Sequence, residues 1–479
     1  LPYILLMSRG DVTGYGEDLG DPGRVRVAEL LGESLTGPPP GATPRCLAGR
    51  VTFPGKATAV VGMRRAGKTT FLHQVRRQRL EQGVPRERLP YLNFEDERLA
   101  GFGVRHFAAL VEEYYRRFPA FRGRETVTWC FDEIQTVPGW ERFVRRLLDG
   151  EQVEVFVSGS SAALLSREIA TALRGRAWEV VIFPFSFAEF LRHRHHALPE
   201  RLDLLSARER SGLQGALRDY LAVGGFPEAQ GLAVGDRFRL LGDYVDLAIL
   251  RDVVERHAVS NVASLRWMVR HLLGSPGGLF SVEKFHRTLK SQGLPVARDT
   301  LHHLLGYLED CFLVRLTWVA ADSERRRMVL PRKIHPIDPG LIPVFDRSGK
   351  ANLGHALEAA VRIELERRHL DVRYVRTRDG REVDFLARSP DGRETLLQVC
   401  ADLGEEGTCG REIRALLAAA AEHPRASLEL VTLTPEVASG VPEGIRVHDA
   451  ATWFLDAWLA TPAGERRAAS RRVPREPAR

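Results

Sequence analysis

The sequence predicts an α/β chain: a parallel sheet covered by helices on both faces, then a helical region, then a second, smaller α/β unit. Three observations carry this. Short apolar runs alternate with helix-like stretches between residues 57 and 157, the order expected of a parallel sheet with crossover helices. Apolar residues at helical spacing then dominate Leu213–Val223, Arg239–His257 and Val262–Leu273. From Asn352 strand-like and helix-like segments alternate again.

Taken in order, residues 1–44 read as a partly flexible leader in which Arg24–Leu35 forms a short helix, and the proline-rich Gly37–Thr43 marks a loop. A core over residues 45–200 contains strands Ala57–Gly62, Pro90–Phe94, Thr126–Phe131 and Val153–Val157. Its helices start at Gly67 and span Phe107–Phe118 and Trp140–Gly150. Residues 201–275 read as a helical lid. Residues 276–345 read as helices Val282–Ser291 and Ala297–Leu308 with strands Phe312–Val319 and Met328–Leu330. The unit over 350–460 has a helix to His369, strands Val372–Val375, Glu382–Ala387 and Leu396–Cys400, helix Gly410–Ala421 and strand Leu428–Leu433. Residues 461–479, rich in Arg, Pro and Ala, read as a disordered basic tail.

Composition bounds the function. A chain of 479 residues exceeds one core, and 44% hydrophobic with 27% charged residues excludes wholesale disorder. The net charge of +7 owes much to residues 464–479, which hold six arginines and two glutamates. The body is therefore only mildly basic, so a nucleic-acid role must rest on where charges cluster. Cys46, Cys130, Cys311, Cys400 and Cys409 form no CxxC pair, which argues against a zinc module and fits a reducing, cytoplasmic home. No apolar run reaches ~18 residues, so no membrane span is expected.

The chemistry starts at Gly62-Met63-Arg64-Arg65-Ala66-Gly67-Lys68-Thr69, which fits GxxxxGK[ST] in full, after a strand and before a helix. Glycines let backbone N–H groups turn onto phosphates, and the helix N-terminus adds favourable potential. Lys68 is expected to reach the β and γ phosphates of ATP, Thr69 to bind Mg²⁺, and Thr70 to complete the loop. The apolar run Val127–Phe131 ends in Asp132-Glu133. An acid at a strand's C-terminal end lies on the ligand edge of such a sheet. Asp132 is expected to hold Mg²⁺ through its water shell, and Glu133 to polarise the attacking water. Ser158, or Ser161 as second choice, is the candidate sensor of the γ-phosphate. Arg174 and Arg176 are candidate arginine fingers for a neighbouring subunit's nucleotide, set against the plainer reading of solvated surface arginines.

These motifs, with Phe131–Gln135, Ser158–Ser161, Leu173–Arg176, Phe183–Phe190 and Gly224–Glu228, resemble a bacterial and archaeal ATPase family, AAA_14, in which an AAA+ domain precedes a C-terminal domain catalogued as DUF4143. The resemblance spans about residues 45–460. It implies an AAA+ core, a winged helix at 276–345, a nuclease-like C-terminal domain, and a homo-oligomer such as a hexamer. In a winged helix, Thr300, His302 and His303 would lie on the groove-facing helix, and Arg325-Arg326-Arg327 with Arg332-Lys333 would suit phosphates. Subunit packing is the alternative use of such a domain.

The C-terminal order resembles the PD-(D/E)xK nuclease fold, which places Glu358 and Asp384 at its Mg²⁺ positions. The third motif element reads Gln398-Val399-Cys400, so the lysine is missing and cleavage activity is expected to be absent. The expectation is an Mg²⁺-dependent ATP hydrolase acting on DNA, set against an ATP-controlled switch on a protein partner and an active nuclease.

Overall fold

The computed structural model describes residues 21–159, 173, 175–294, 296–321, 323–346, 352–404, 407–437 and 440–459. The expected leader before residue 21 and the basic tail after residue 459 lie outside them.

The first sheet has five parallel strands, β1 (Ala57–Val61), β2 (Tyr91–Asn93), β3 (Val127–Asp132), β4 (Val153–Ser158) and β5 (Ala177–Val181), in the order β2-β3-β4-β1-β5. β1 and β3 are buried along their whole length, which is why they read as continuous apolar runs rather than alternating ones. One face packs on Phe71, Leu72 and Val75 of helix Lys68–Glu81. The other packs on helices His106–Arg117 and Trp140–Gly150, where Phe107 and Phe143 stack at 4.0 Å. Edge strand β5 is missed by the sequence reading because it is short and half-exposed, with Glu179 interrupting its apolar run.

The second sheet is mixed and has eight strands. Its members are β6 (Leu279–Phe280), β7 (Val314–Val319), β8 (Arg332–Pro336), β9 (Asp371–Arg376), β10 (Glu382–Arg388), β11 (Glu394–Cys400), β12 (Ser427–Thr432) and β13 (Ile445–Asp449). Their order is β13-β12-β11-β10-β9-β7-β8-β6. Regions expected as separate domains therefore share one sheet, joined where β7 runs parallel to β9 with Trp318 opposite Arg373 and Val319 opposite Tyr374.

The expected strand Met328–Leu330 is not one. Glu324–Val329 is helical and the strand falls later, at β8, because Glu, Arg and Met are good helix formers and Ser323 precedes them. The expected lid over 201–275 also divides. Helix Ala207–Val223 packs through Leu213, Leu217 and Tyr220 into the core of Leu357, Val361, Phe385 and Phe454, with the C-terminal unit. Helices Val234–Ala248 and Val262–Gly274 join the ATPase-side core.

Candidate nucleotide site and the C-terminal acid cluster

The sheet order fixes the site. β4 lies between β1 and β3, so the loop after β1, the acids ending β3 and Ser158 ending β4 emerge together at the C-terminal edge. The loop is bent at Gly62 (φ 143°), Arg65 (φ 64°) and Gly67 (φ 101°). A Cβ at Gly62 would lie 2.2 Å from the Ile182 carbonyl oxygen, so the motif's first glycine is needed for the loop to pass β5's end.

Lys68 is buried, and its Nζ donates to the carbonyls of Gly62 and Met63 at 3.1 Å each. Burial lowers its pKa, partly offset by Glu133 and Asp252. Burial likewise raises the Glu133 pKa, against the pull of Lys68. Asp132 accepts from the Tyr91 hydroxyl at 2.8 Å and from the Ser158 hydroxyl, and Ser158 Oγ accepts the Glu133 N–H at 3.3 Å. Ser158 thus faces the acid pair. Lys68, Thr69, Thr70 and Glu133 line one cavity of about 520 Å³ together with Gly41–Thr43, Arg45, Phe185, His193, Pro227, Glu228 and Leu247.

Two features of this site were not legible. Arg45 lies under the loop, donating to the Phe183 carbonyl and to Glu189 at 3.2 Å each, and to the Ala66 carbonyl. Glu189 is also the third residue of a capping box with Ser186, which explains the Phe183–Phe190 segment. The S-x-x-E spacing was a usable signal for the box, but nothing local pointed to Arg45. The second feature is a clamp from the lid. Arg64 pairs with buried Asp252 at 3.0 Å, and Arg65 with Glu228 at 3.4 Å. Asp252 sits in a π-helical turn, Ile249–Glu255, a local widening often found at functional sites.

The other candidates fare unevenly. Ser161 and Arg174 lie outside the described residues. Arg176 stands at the start of β5, opposite the phosphate-loop edge, and pairs with Asp149. His302 and His303 are exposed on helix Arg298–Asp310 and Thr300 is half-buried. The phosphate-contact expectation is overturned for Lys333, while Arg332 is half-buried. The Arg332 guanidinium lies 3.7 Å over the Trp318 ring, and Lys333 is only 2% exposed.

Lys333 enters the C-terminal acid cluster. Its Nζ lies 3.0 Å from Glu358, 2.8 Å from Glu382 and 2.8 Å from Asp384. Burial would lower its pKa, but the three acids raise it well above the ordinary value. Burial raises Glu358 too, yet Lys333 and the His335 ring outweigh it and hold the carboxyl down to about 2. Burial and the Glu358 charge push Asp384 up to about 7 against the pull of Lys333. Gln398 Oε1 accepts the Asp384 N–H and its amide donates to Glu412 at 2.6 Å. Glu358 and Asp384 are thus brought together as expected, but around an ammonium. That donor set does not fit a resident Mg²⁺: the cation's place between the acids is taken by Lys333, and among the described residues no group of three or more His, Cys, Asp or Glu is placed to hold a metal.

A phosphate-type loop, helix and acid pair on an interposed-strand parallel sheet define an AAA-type ATPase domain, and a family profile described as "AAA domain" matches residues 54–191. A second profile, "Domain of unknown function (DUF8612)", matches residues 214–350, in place of the expected DUF4143. The chain is 33% identical to the uncharacterized protein MJ1544 of Methanocaldococcus jannaschii, over 76% of this chain and 78% of that one. It is 30% identical to an uncharacterized Haemophilus influenzae protein, over 69% and 79% respectively. The chain belongs to their family. Among solved structures, the Walker-type ATPase of Pyrococcus abyssi aligns over 67% of this chain and 95% of that one, at 16% identity and TM-score 0.34. The Aeropyrum pernix ORC1 protein, solved with DNA, aligns over 70% and 94%, at 15% identity and TM-score 0.25. Among the described residues no helix is long and apolar enough to cross a membrane.

Proposed function

We propose that the chain binds ATP with Mg²⁺, hydrolyses it, and couples that cycle to DNA. One observation carries the hydrolase reading: Lys68, Thr69 and Glu133 line the same cavity at the sheet's C-terminal edge. In this reading Lys68 leaves its two carbonyls for the β and γ phosphates, while the N–H groups of Gly62–Thr70 surround them. The Thr69 hydroxyl and Asp132 are hard oxygen donors that fit Mg²⁺, Thr69 directly and Asp132 through water. Mg²⁺ would neutralise charge building on the transferred phosphoryl group. Glu133 orients and deprotonates the attacking water, and Ser158 holds Glu133 and Asp132 in register.

The DNA reading draws on the two helices and following hairpin of residues 282–336, which have the order of a winged helix, and on Arg325 and Arg326, exposed on helix Glu324–Val329. The C-terminal sheet is read as a nuclease-like fold without cleavage activity, its acids satisfied by Lys333. Self-assembly that sets Arg174 or Arg176 against a neighbour's nucleotide belongs to the same reading.

The test is the ATPase rate of the purified protein without DNA and with linear and branched duplexes. Hydrolysis lost in Lys68→Ala and stimulated by DNA supports the reading. A rate unchanged by every DNA form, with no salt-sensitive binding, removes the DNA half and favours a switch acting on a protein.

A further inference from the structure

A cavity of about 790 Å³ opens where β7 meets β9, far from the nucleotide loop in sequence. Arg326 and Arg327 enter it from helix Glu324–Val329, Arg373 and Arg376 from β9, Arg378 from the turn that follows, and Arg388 from the end of β10. His423 adds a further nitrogen, while Asp371 and Glu422 are the acids in the lining. Three of the arginines have acidic partners: Arg327 pairs with Glu324, Arg373 with Asp371 and Arg388 with Glu394. Arg326, Arg376 and Arg378 are exposed and form no ion pair among the described residues. Glu422 in the same lining accepts the Arg378 backbone N–H at 2.8 Å, so six guanidinium groups face four carboxylates. The groove keeps a net positive charge, and such fields concentrate polyanions.

We infer that this groove binds the phosphodiester backbone of DNA, an assignment that rests on the DNA reading above and names its surface. The arrangement fits that occupant better than a small anion. The cations come from separate elements around a cavity of about 790 Å³, more room than one small anion fills. Arginine forks match phosphate oxygens two at a time. Beside the groove, Met328 and Val329 on the same helix are 67% and 79% exposed, an apolar tip of the kind that rests against bases rather than against phosphate. The groove floor is set by the β7–β9 pairing, where Ala320 N–H donates to the Tyr374 carbonyl at 2.7 Å. The wing helix and the C-terminal sheet therefore present one surface, not two that must find each other.

The experiment is fluorescence anisotropy of a labelled duplex with the full chain across a salt series, comparing wild type with Arg376→Glu/Arg378→Glu. Arg208→Glu/Arg393→Glu, at two exposed arginines outside the groove lining, is the charge-matched control. The double variant is expected to bind at least ~10-fold more weakly, with a log–log salt slope reduced by about 2. Its basal ATPase rate and melting temperature should match wild type, and the control should bind normally. If wild type binds DNA and the double variant binds equally well, the groove assignment is overturned while the DNA reading stands. If wild type binds no DNA, both fall. If poly-glutamate displaces DNA from wild type at equal charge concentration, the groove takes acidic protein and the assignment is overturned as well.

Discussion

Two lysines are buried among the described residues, and their surroundings are opposite. Lys68 holds two neutral backbone carbonyls beside an open cavity of about 520 Å³, and burial lowers its pKa. Lys333 touches three carboxylates, and they raise its pKa well above the usual range. A cation meant to receive an anion must be held in place without being neutralised, and dipoles do this while carboxylates do not. The difference separates a site that waits for a ligand from one already satisfied from within.

The largest expected effect breaks the satisfied site. Lys333→Met should lower unfolding stability by about 3–5 kcal/mol, because it leaves buried acids without their cation. Adding Glu358→Gln and Asp384→Asn should recover much of that loss, read as denaturant midpoints. Lys68→Met should move the midpoint far less while abolishing nucleotide binding. Equal destabilisation by the two lysine variants would remove the distinction. The same cluster fixes an acid limb. Glu358 has a folded pKa of about 2, below its ordinary 4.5. Its contribution is therefore present above 4.5 and lost as pH falls toward 2. Because the Glu358 charge also raises Asp384, the comparison needs both changes: Glu358→Gln/Asp384→Asn should lose less stability than wild type over that interval.

Next in size is the nucleotide site. Glu133→Gln should retain ATP and slow hydrolysis by about 10²–10⁴-fold, the ordinary worth of a positioned base. Burial raises the Glu133 pKa, and a base works only when deprotonated. The fall of kcat/KM on acidification should therefore be centred above 4.5. A wild-type profile flat down to pH 4.5, or normal turnover by Glu133→Gln, would remove Glu133 from the role.

The same contrast explains what could be read in advance. Gly62–Thr69 and Asp132-Glu133 are contiguous patterns whose partners are set by one strand, one loop and one helix start, so local sequence carries their geometry. The cluster around Lys333 joins residues 25 and 51 positions apart through β8, β10 and helix Leu353–Arg367. Its assembly depends on β7 pairing with β9 and on a register shift in the β9–β10 pair, neither of which a linear pattern encodes. Cys400 stands where the resemblance expects a lysine, and its Sγ donates to the Asp402 carbonyl at 3.2 Å. That Lys333, on β8, reaches Glu358 and Asp384 was not readable. Gly224-Gly225 is a similar case: its meaning lies in Asp338, which accepts the Gly225 N–H at 2.6 Å and would collide with a Cβ at Gly224.

The smallest effects concern the lid clamp, and they test whether burial or distance sets the worth of an ion pair. Arg64 and Arg65 are neighbours in the loop, and both reach the lid. The Arg64–Asp252 pair has side chains 22% and 3% exposed, and Asp252 accepts the Arg64 Nε–H through both oxygens at 3.1 and 3.0 Å. Arg65–Glu228 is 52% and 53% exposed at 3.4 Å. Removing Arg64 strips a buried carboxylate of a charged donor, worth about 1.5–3 kcal/mol. Removing Arg65 should cost well under ~1 kcal/mol, since water and salt already screen that pair. Amide exchange along Val234–Ala248 reads both locally, because loosening the clamp speeds opening of the lid helix before the global fold is affected. Faster exchange in Arg64→Ala than in Arg65→Ala, with the gap surviving high salt, is the expected result. Equal exchange in the two variants would mean that the lid is held by apolar packing of its Leu241 and Tyr244, the latter against Phe226, with neither arginine acting as a clamp.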